Sequence, residues 1–123
     1  MEPTQERVLC ACNEVLKVLG GGHREKIYEN ALFVELQNEF SITSQQHFPI
    51  MYKNHCVGHI VADLILNNNF VVEIKAQTTK IGKKEQLQLM KYVEVGQLKG
   101  GLIVNFWQVR DNNLVSFEIC NPQ

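Results

Sequence analysis

A chain of 123 residues can bury one hydrophobic core and is too short for two. Its apolar and charged fractions, 45% and 20%, are those of an ordinary soluble globular protein. The net charge of −1 excludes an overall basic field, so any attraction to a polyanion has to come from a local patch. Lys75, Lys80, Lys83, Lys84 and Lys91 could supply one; the plainer account of them is a solvated surface.

The N-terminus is polar and charged, unlike a signal peptide, and no apolar run is long enough to span a membrane. Cys10, Cys12, Cys56 and Cys120 form neither a CxxC pair nor a zinc-ribbon spacing. An intracellular, reducing setting with free thiols is therefore expected, cytoplasmic or nuclear.

In chain order, residues 5–19 predict a helix, with Val8, Cys12, Val15, Leu16 and Leu19 at helical spacing and Gly20-Gly21-Gly22 as its stop. Residues 23–39 predict a second helix on Ile27, Ala31, Leu32, Val34 and Leu36. Residues 43–52 read as a strand whose Pro49 argues for an edge position or a bulge, followed by a turn at Lys53-Asn54-His55. Two strands over 57–66 and 70–76 are joined by Asn67-Asn68-Asn69, residues that tolerate a left-handed backbone. A third helix covers 83–95 and ends near Gly96. Two last strands, 100–107 and 114–119, flank Asp111-Asn112-Asn113. The order ααβββαββ indicates one α+β or α/β domain, residues 1–123, built on a central sheet.

The 57–76 hairpin is the most informative segment. A loop symmetric about Asn68 pairs Leu66 with Phe70 and Asp63 with Glu73. Opposed residues share a face with Cβ atoms about 4.5–5.5 Å apart. Lys75, two residues beyond Glu73, points the same way. Ala62, Leu64, Leu66, Phe70, Val72, Ile74 and Ala76 then form an apolar core face, and Asp63, Glu73 and Lys75 lie opposite, flanked by Val61, Ile65 and Val71. Two opposed carboxylates repel, and either Lys75 or a bound cation has to compensate. A hard divalent ion such as Mg²⁺ or Mn²⁺ takes oxygen ligands of this kind. The alternative is a surface ion-pair ladder, and a register slip of one residue would dissolve the cluster.

Asp63-x9-Glu73-x-Lys75, preceded by Gly58-His59-Ile60-Val61-Ala62, resembles the signature of the PD-(D/E)XK nuclease superfamily. Gly22-His23-Arg24-Glu25-Lys26-Ile27-Tyr28 reads G-x-x-E-x-x-Y, the motif of the GxxExxY group within it. Gln88-Leu89-Met90-Lys91-Tyr92 is similar to the Q-x-x-x-Y motif of RecB-like exonucleases, and Gly101-Leu102-Ile103-Val104-Asn105-Phe106 resembles the strand that follows that helix. The similarity runs over roughly residues 8–119, with four motifs in order on the expected elements. Two departures stand out. The proline of the signature is absent before Asp63, and Glu85 occupies a position where related sequences often have histidine.

The resemblance implies a restriction-endonuclease-like core, a central mixed sheet flanked by helices. It also implies a Mg²⁺- or Mn²⁺-dependent nuclease that hydrolyses phosphodiester bonds in nucleic acid, DNA being the expected substrate. Asp63 and Glu73 would be metal ligands, with the carbonyl of Ile74 and the carboxylate of Glu25 added to them. Lys75 would position the attacking water or offset charge on the phosphate. Gln88, and Tyr92 four residues on, would support that network or contact DNA.

Each residue also has a plainer alternative. Glu25 suits a helix N-terminus on electrostatic grounds. Tyr28 is expected in the core with its hydroxyl near the site. Gln88 and Tyr92 would equally make a polar–aromatic pair at the core edge. Trp107 is expected in the core or an interface, with stacking on a base as its alternative. His23, His47, His55 and His59 form no zinc set. Cys10 and Cys12 cannot share a helix face, and the four cysteines lack the spacing of the iron–sulfur clusters found in some related nucleases. The competing function is a nucleic-acid-binding or assembly module that keeps the fold without catalysis; a purely structural polar cluster is the third. A homodimer would let a small nuclease cut both strands, with the 43–52 edge as one candidate interface.

Overall fold

In the computed structural model, which describes residues 2–110 and 113–120, helix α1 spans Gln5–Leu19. It starts at Thr4, whose hydroxyl accepts from the Arg7 N–H at 3.1 Å, and stops at Gly20, whose left-handed φ of 75° lets its N–H cap Leu16. Val8, Ala11, Cys12 and Val15 are its buried stripe, while Leu19 is partly exposed. Cys10 is exposed and Cys12 buried, as helical geometry requires of neighbours two apart.

Helix α2 spans Glu25–Leu36, shorter at both ends than the periodicity predicts. Its buried face also differs. Tyr28, Glu29, Leu32 and Leu36 point inward, Ile27 and Ala31 are half-buried, and Val34 is exposed. The buried carboxylate of Glu29 turns the face away from the simple apolar count.

Strand β1 (Ile42–Tyr52) pairs antiparallel with β2 (His55–Leu66) across a two-residue turn in which Lys53 and Asn54 are both left-handed. β1 is the sheet edge and carries a register shift after Ile50, so Pro49 accompanies both an edge and a bulge. β2 pairs antiparallel with β3 (Phe70–Lys75) in the register Leu66–Phe70, Ile65–Val71 and Leu64–Val72, around Asn67 and Asn68 at positive φ. Helix α3 (Lys83–Gly96) crosses over to β4 (Gly100–Arg110), which lies parallel to β3, and β5 (Asn113–Cys120) closes the far edge antiparallel to β4. The sheet is therefore mixed, in the order β1-β2-β3-β4-β5. The expected loop at Asp111-Asn112 lies outside the described residues.

The sheet is covered on both faces. Tyr28, Leu32 and Leu36 of α2, with the α1 stripe, pack on Leu64, Leu66, Phe70, Val72, Ile74, Leu102, Val104 and Phe106. Leu89, Tyr92 and Val93 of α3 pack with Ala62, Ile65, Val71 and Ile103 on the other side. Burial on both faces explains the continuous apolar run of β4, where alternation would be expected of a half-exposed strand. Gly101 permits the close approach of α3, because a Cβ there would stand 2.4 Å from Val71 Cγ1 and 3.0 Å from Leu89 Cδ1.

One part of the predicted hairpin face is corrected. Ala62 belongs to the α3 side, whereas Leu64 and Leu66 face α1 and α2, so the alternation slips between Ala62 and Leu64. The slip falls at Asp63. Among the described residues no helix is long and apolar enough to cross a membrane.

Candidate functional site

The backbone ladder between β2 and β3 stops at Leu64–Val72. Beyond it the side chains of Asp63 and Glu73 take over. The Asp63 N–H donates to Glu73 Oε2 at 2.6 Å, and the Ile74 N–H donates to Asp63 Oδ2 at 2.8 Å. These bonds use Oε2 of Glu73 and Oδ2 of Asp63. The strand ends are thus held by side-chain carboxyl oxygens in place of backbone carbonyls.

Glu73 is buried and Asp63 is half-buried. Glu73 is 5% exposed, and its carboxyl is pushed up to about 8, first by burial and then by the charge of Asp63. Asp63 is raised as well, by burial and by Glu29, against the opposing pull of the Ile74 N–H and Lys75. A buried carboxyl beside a half-buried one that repels it is an unfavourable arrangement that positive charge relieves. The donor set, two hard carboxylates with backbone nearby, fits a divalent cation of the Mg²⁺ or Mn²⁺ kind. Among the described residues no three His, Cys, Asp or Glu side chains stand close enough to enclose an ion by themselves. Mg²⁺ characteristically keeps waters and substrate oxygens in its shell, so two protein carboxylates suffice for it.

Lys75, at the end of β3, is half-buried and opens onto a polar recess that it lines with Gln77, Thr79, Lys84, Glu85 and Gln88. Asn105 shapes the loop behind that recess. This fully buried side chain, paired across the sheet with Lys75, accepts from the Gln77 and Trp107 N–H groups at 3.2 and 3.0 Å. Its amide donates to the carbonyls of Gln77 at 3.0 Å and Thr79 at 3.4 Å. Glu85 caps α3 by accepting from the Gly82 N–H at 2.9 Å, and this bond, with help from Gln77, holds its carboxyl below the usual range. The residue that departs from the family pattern is therefore a helix cap as well as part of the rim.

The other expected residues are distributed around this centre. Ile74 is fully buried, its N–H spent on Asp63. Glu25 is exposed at the first turn of α2, and its carboxylate accepts from the Ala76 N–H at 3.4 Å, just past Lys75. Gln88 is exposed on the recess. Tyr92 is buried under the α3 side, donates its hydroxyl to the Val61 carbonyl at 2.7 Å, and has its phenol pushed up by burial and by the charges of Glu73 and Asp63.

Two further expectations are corrected. The Tyr28 hydroxyl is spent on the α1–α2 connection, donating to the Gly20 carbonyl at 2.8 Å and accepting from the His23 N–H at 3.1 Å, while its ring stacks on Phe106. Trp107 is 49% exposed and so outside the core, which corrects the core half of its expectation.

Glu29 and Gln45 reach the acids without having been singled out in the sequence. Glu29 is 4% exposed and accepts from Lys26, Ser44 and Gln45. Gln45 also reaches Asp63 Oδ1 at 3.5 Å. The helical spacing of Glu29 with Leu32 and Leu36 was the available signal for the first. No local pattern marks the second.

Comparison with known proteins bears on this arrangement. The sequence model of the PD-(D/E)XK nuclease superfamily matches residues 2–116. No curated protein matches the chain. Among solved proteins, the crystal structure of SSO0001 is similar, with a TM-score of 0.56 at 21% identity over 80% of this chain and 51% of that one. That likeness concerns the fold alone, and this chain spans about half the length of that protein. With the family model covering nearly every element that frames Asp63, Glu73 and Lys75, the chain belongs to the PD-(D/E)XK nuclease superfamily.

Proposed function

We propose that the 123 residues act as a single nuclease domain of the GxxExxY type, hydrolysing phosphodiester bonds in DNA with the help of Mg²⁺ or Mn²⁺. The observation that carries this reading is the buried Glu73 carboxyl set against the half-buried Asp63, the two bonded into each other's strand, with Lys75 beside them. Asp63 and Glu73 would hold the cation, with the Ile74 carbonyl as a further oxygen and Glu25 at the rim of the same strand end. When bound, such an ion polarises the phosphate and supplies an activated water.

The side chains divide the remaining work. Lys75 places a positive charge where the recess meets the acids and offsets charge that develops on the phosphate. Gln88 and Lys84 line the approach for the nucleic-acid backbone. Tyr92, bonded to Val61, holds the β2 segment that leads to Asp63. One chain presents one such site, so two copies would be needed to cut both strands of a duplex.

A second reading has one specific observation behind it. The two carboxylates also fasten β2 to β3, so the same residues would serve a binding or assembly module that keeps the fold without turnover. A cleavage assay on single- and double-stranded DNA with Mg²⁺ or Mn²⁺ separates the two. The nuclease reading expects metal-dependent cleavage that falls by about 100-fold or more in Glu73→Ala and in Lys75→Ala. Metal binding without cleavage in the wild type would favour the module. Cleavage that survives in both variants would be foreign to this site.

A further inference from the structure

Gln45 lies in the edge strand β1, exposed, in a left-handed backbone conformation with φ of 54°. Non-glycine residues rarely adopt that conformation, and it is unfavourable within a strand. The pairing of β1 with β2 passes from Ser44–Leu64 to Gln46–Ala62 and skips the position where Gln45 would meet Asp63. The left-handed residue leaves the ladder there, and its carboxamide meets Asp63 where backbone would otherwise pair.

That carboxamide is itself anchored. Gln45 Nε2 donates to Glu29 at 3.2 and 3.0 Å and approaches Asp63 Oδ1 at 3.5 Å. Glu29 is held in turn by the Lys26 ammonium at 3.2 Å and the Ser44 hydroxyl at 3.3 Å. With three donors on its carboxylate, Glu29 serves as the post on which Gln45 rests. The opposite oxygen of Asp63, Oδ2, is fixed by the Ile74 N–H. Asp63 is therefore gripped from two elements, β3 on one oxygen and β1 on the other.

We propose that Gln45 is a positioning residue of the site: its carboxamide, anchored on Glu29, fixes the rotation of the Asp63 carboxylate and so the lone-pair direction offered to the cation. The proposal rests on the reading of Asp63 as a cation ligand. Partners that orient a metal ligand without touching the metal have effects of about 10- to 100-fold on affinity. Gln45 is exposed, alanine in its place faces the same backbone demand, and Lys26 and Ser44 still hold Glu29 without it, so its side chain contributes little to stability.

The test is calorimetric titration of the metal-free chain with Mn²⁺, run on wild type, Gln45→Ala, Gln45→Glu and Glu73→Gln, with a melting temperature for each. Gln45→Ala should bind Mn²⁺ about 10-fold more weakly at an unchanged melting temperature. Gln45→Glu, which keeps the shape but replaces the N–H donors with a charge that repels Glu29 and Asp63, should not restore the affinity. Wild-type affinity in Gln45→Ala, while Glu73→Gln has lost binding, overturns the proposal alone. A loss of affinity matched by a loss of melting temperature makes Gln45 structural and overturns it equally. A wild type that binds no Mn²⁺ removes the cation reading and the proposal with it.

Discussion

Two carboxyl-bearing corners of this protein are built on opposite principles. Where α1 meets the end of α2, Arg7 grips Glu39 through both oxygens, Nε at 2.8 Å from Oε2 and the second guanidinium nitrogen on Oε1. The hydrogen bond from Arg7 holds the Glu39 carboxyl below its ordinary range. Where β2 meets β3, Glu73 has burial and Asp63 as its surroundings, and its carboxyl is pushed up to about 8. The first corner is complete as it stands. The second is stable as a neutral acid and strained as a charged one, as the proposed cation site would require.

The pH dependence of stability exposes this contrast most strongly. A group whose folded pKa is raised binds its proton more tightly in the native state, so its contribution is full below about 4.5 and is lost as pH rises toward about 8. Metal-free protein should therefore lose stability on the order of a few kcal/mol across that window. Glu73→Gln should flatten the slope, giving a higher melting temperature than wild type at pH 8 and a similar one at pH 5. A wild-type curve that is flat from pH 5 to 8 would erase the contrast. Glu39 has the opposite sign: its contribution is present above the unfolded pKa and is lost as pH falls into the acid range. Arg7→Ala should accordingly lower the melting temperature only slightly at pH 7, less still in high salt, because the pair is exposed to solvent. A large loss at the surface corner and none at the buried one would reverse the account.

The same contrast governs how much could be seen in the sequence. The elements were legible where local chemistry decides them: the α1 stripe ending at Gly20, the left-handed asparagines that centre the β2–β3 turn, and the apolar run of β4. The end of α3 was placed at Gly96 because glycine stops helices. In the fold Gly96 is instead the last helical residue, where a Cβ would crowd Phe48 at 3.1 Å, and left-handed Gln97 makes the cap. The register at the turn followed from hairpin symmetry, with Leu66 opposite Phe70 as expected, and the ladder ends at Leu64–Val72, before Asp63 and Glu73.

Polar residues whose partners are far away in sequence stayed hidden. Glu29 sits on the buried face of α2, where an apolar count discards it and promotes exposed Val34. Asn105 looks like an ordinary strand residue until the loop at Gln77 and Thr79 folds over it. Gln45 carries no signal of its left-handed backbone, and without it the shift of Ala62 to the α3 side could not be foreseen. Packing patterns are periodic and local, whereas the polar shell of this site is assembled across β1, α2, β3 and β4.

On the reading of Asp63 and Glu73 as cation ligands, the pair exchanges a proton for a divalent cation. Calorimetric titration with Mg²⁺ at pH 7, repeated in buffers of different ionisation enthalpy, measures that exchange directly. With the Glu73 carboxyl near 8, the account predicts release of close to one proton for each ion bound, and loss of that release in Glu73→Gln. Binding without proton release, or no binding at all, would contradict it.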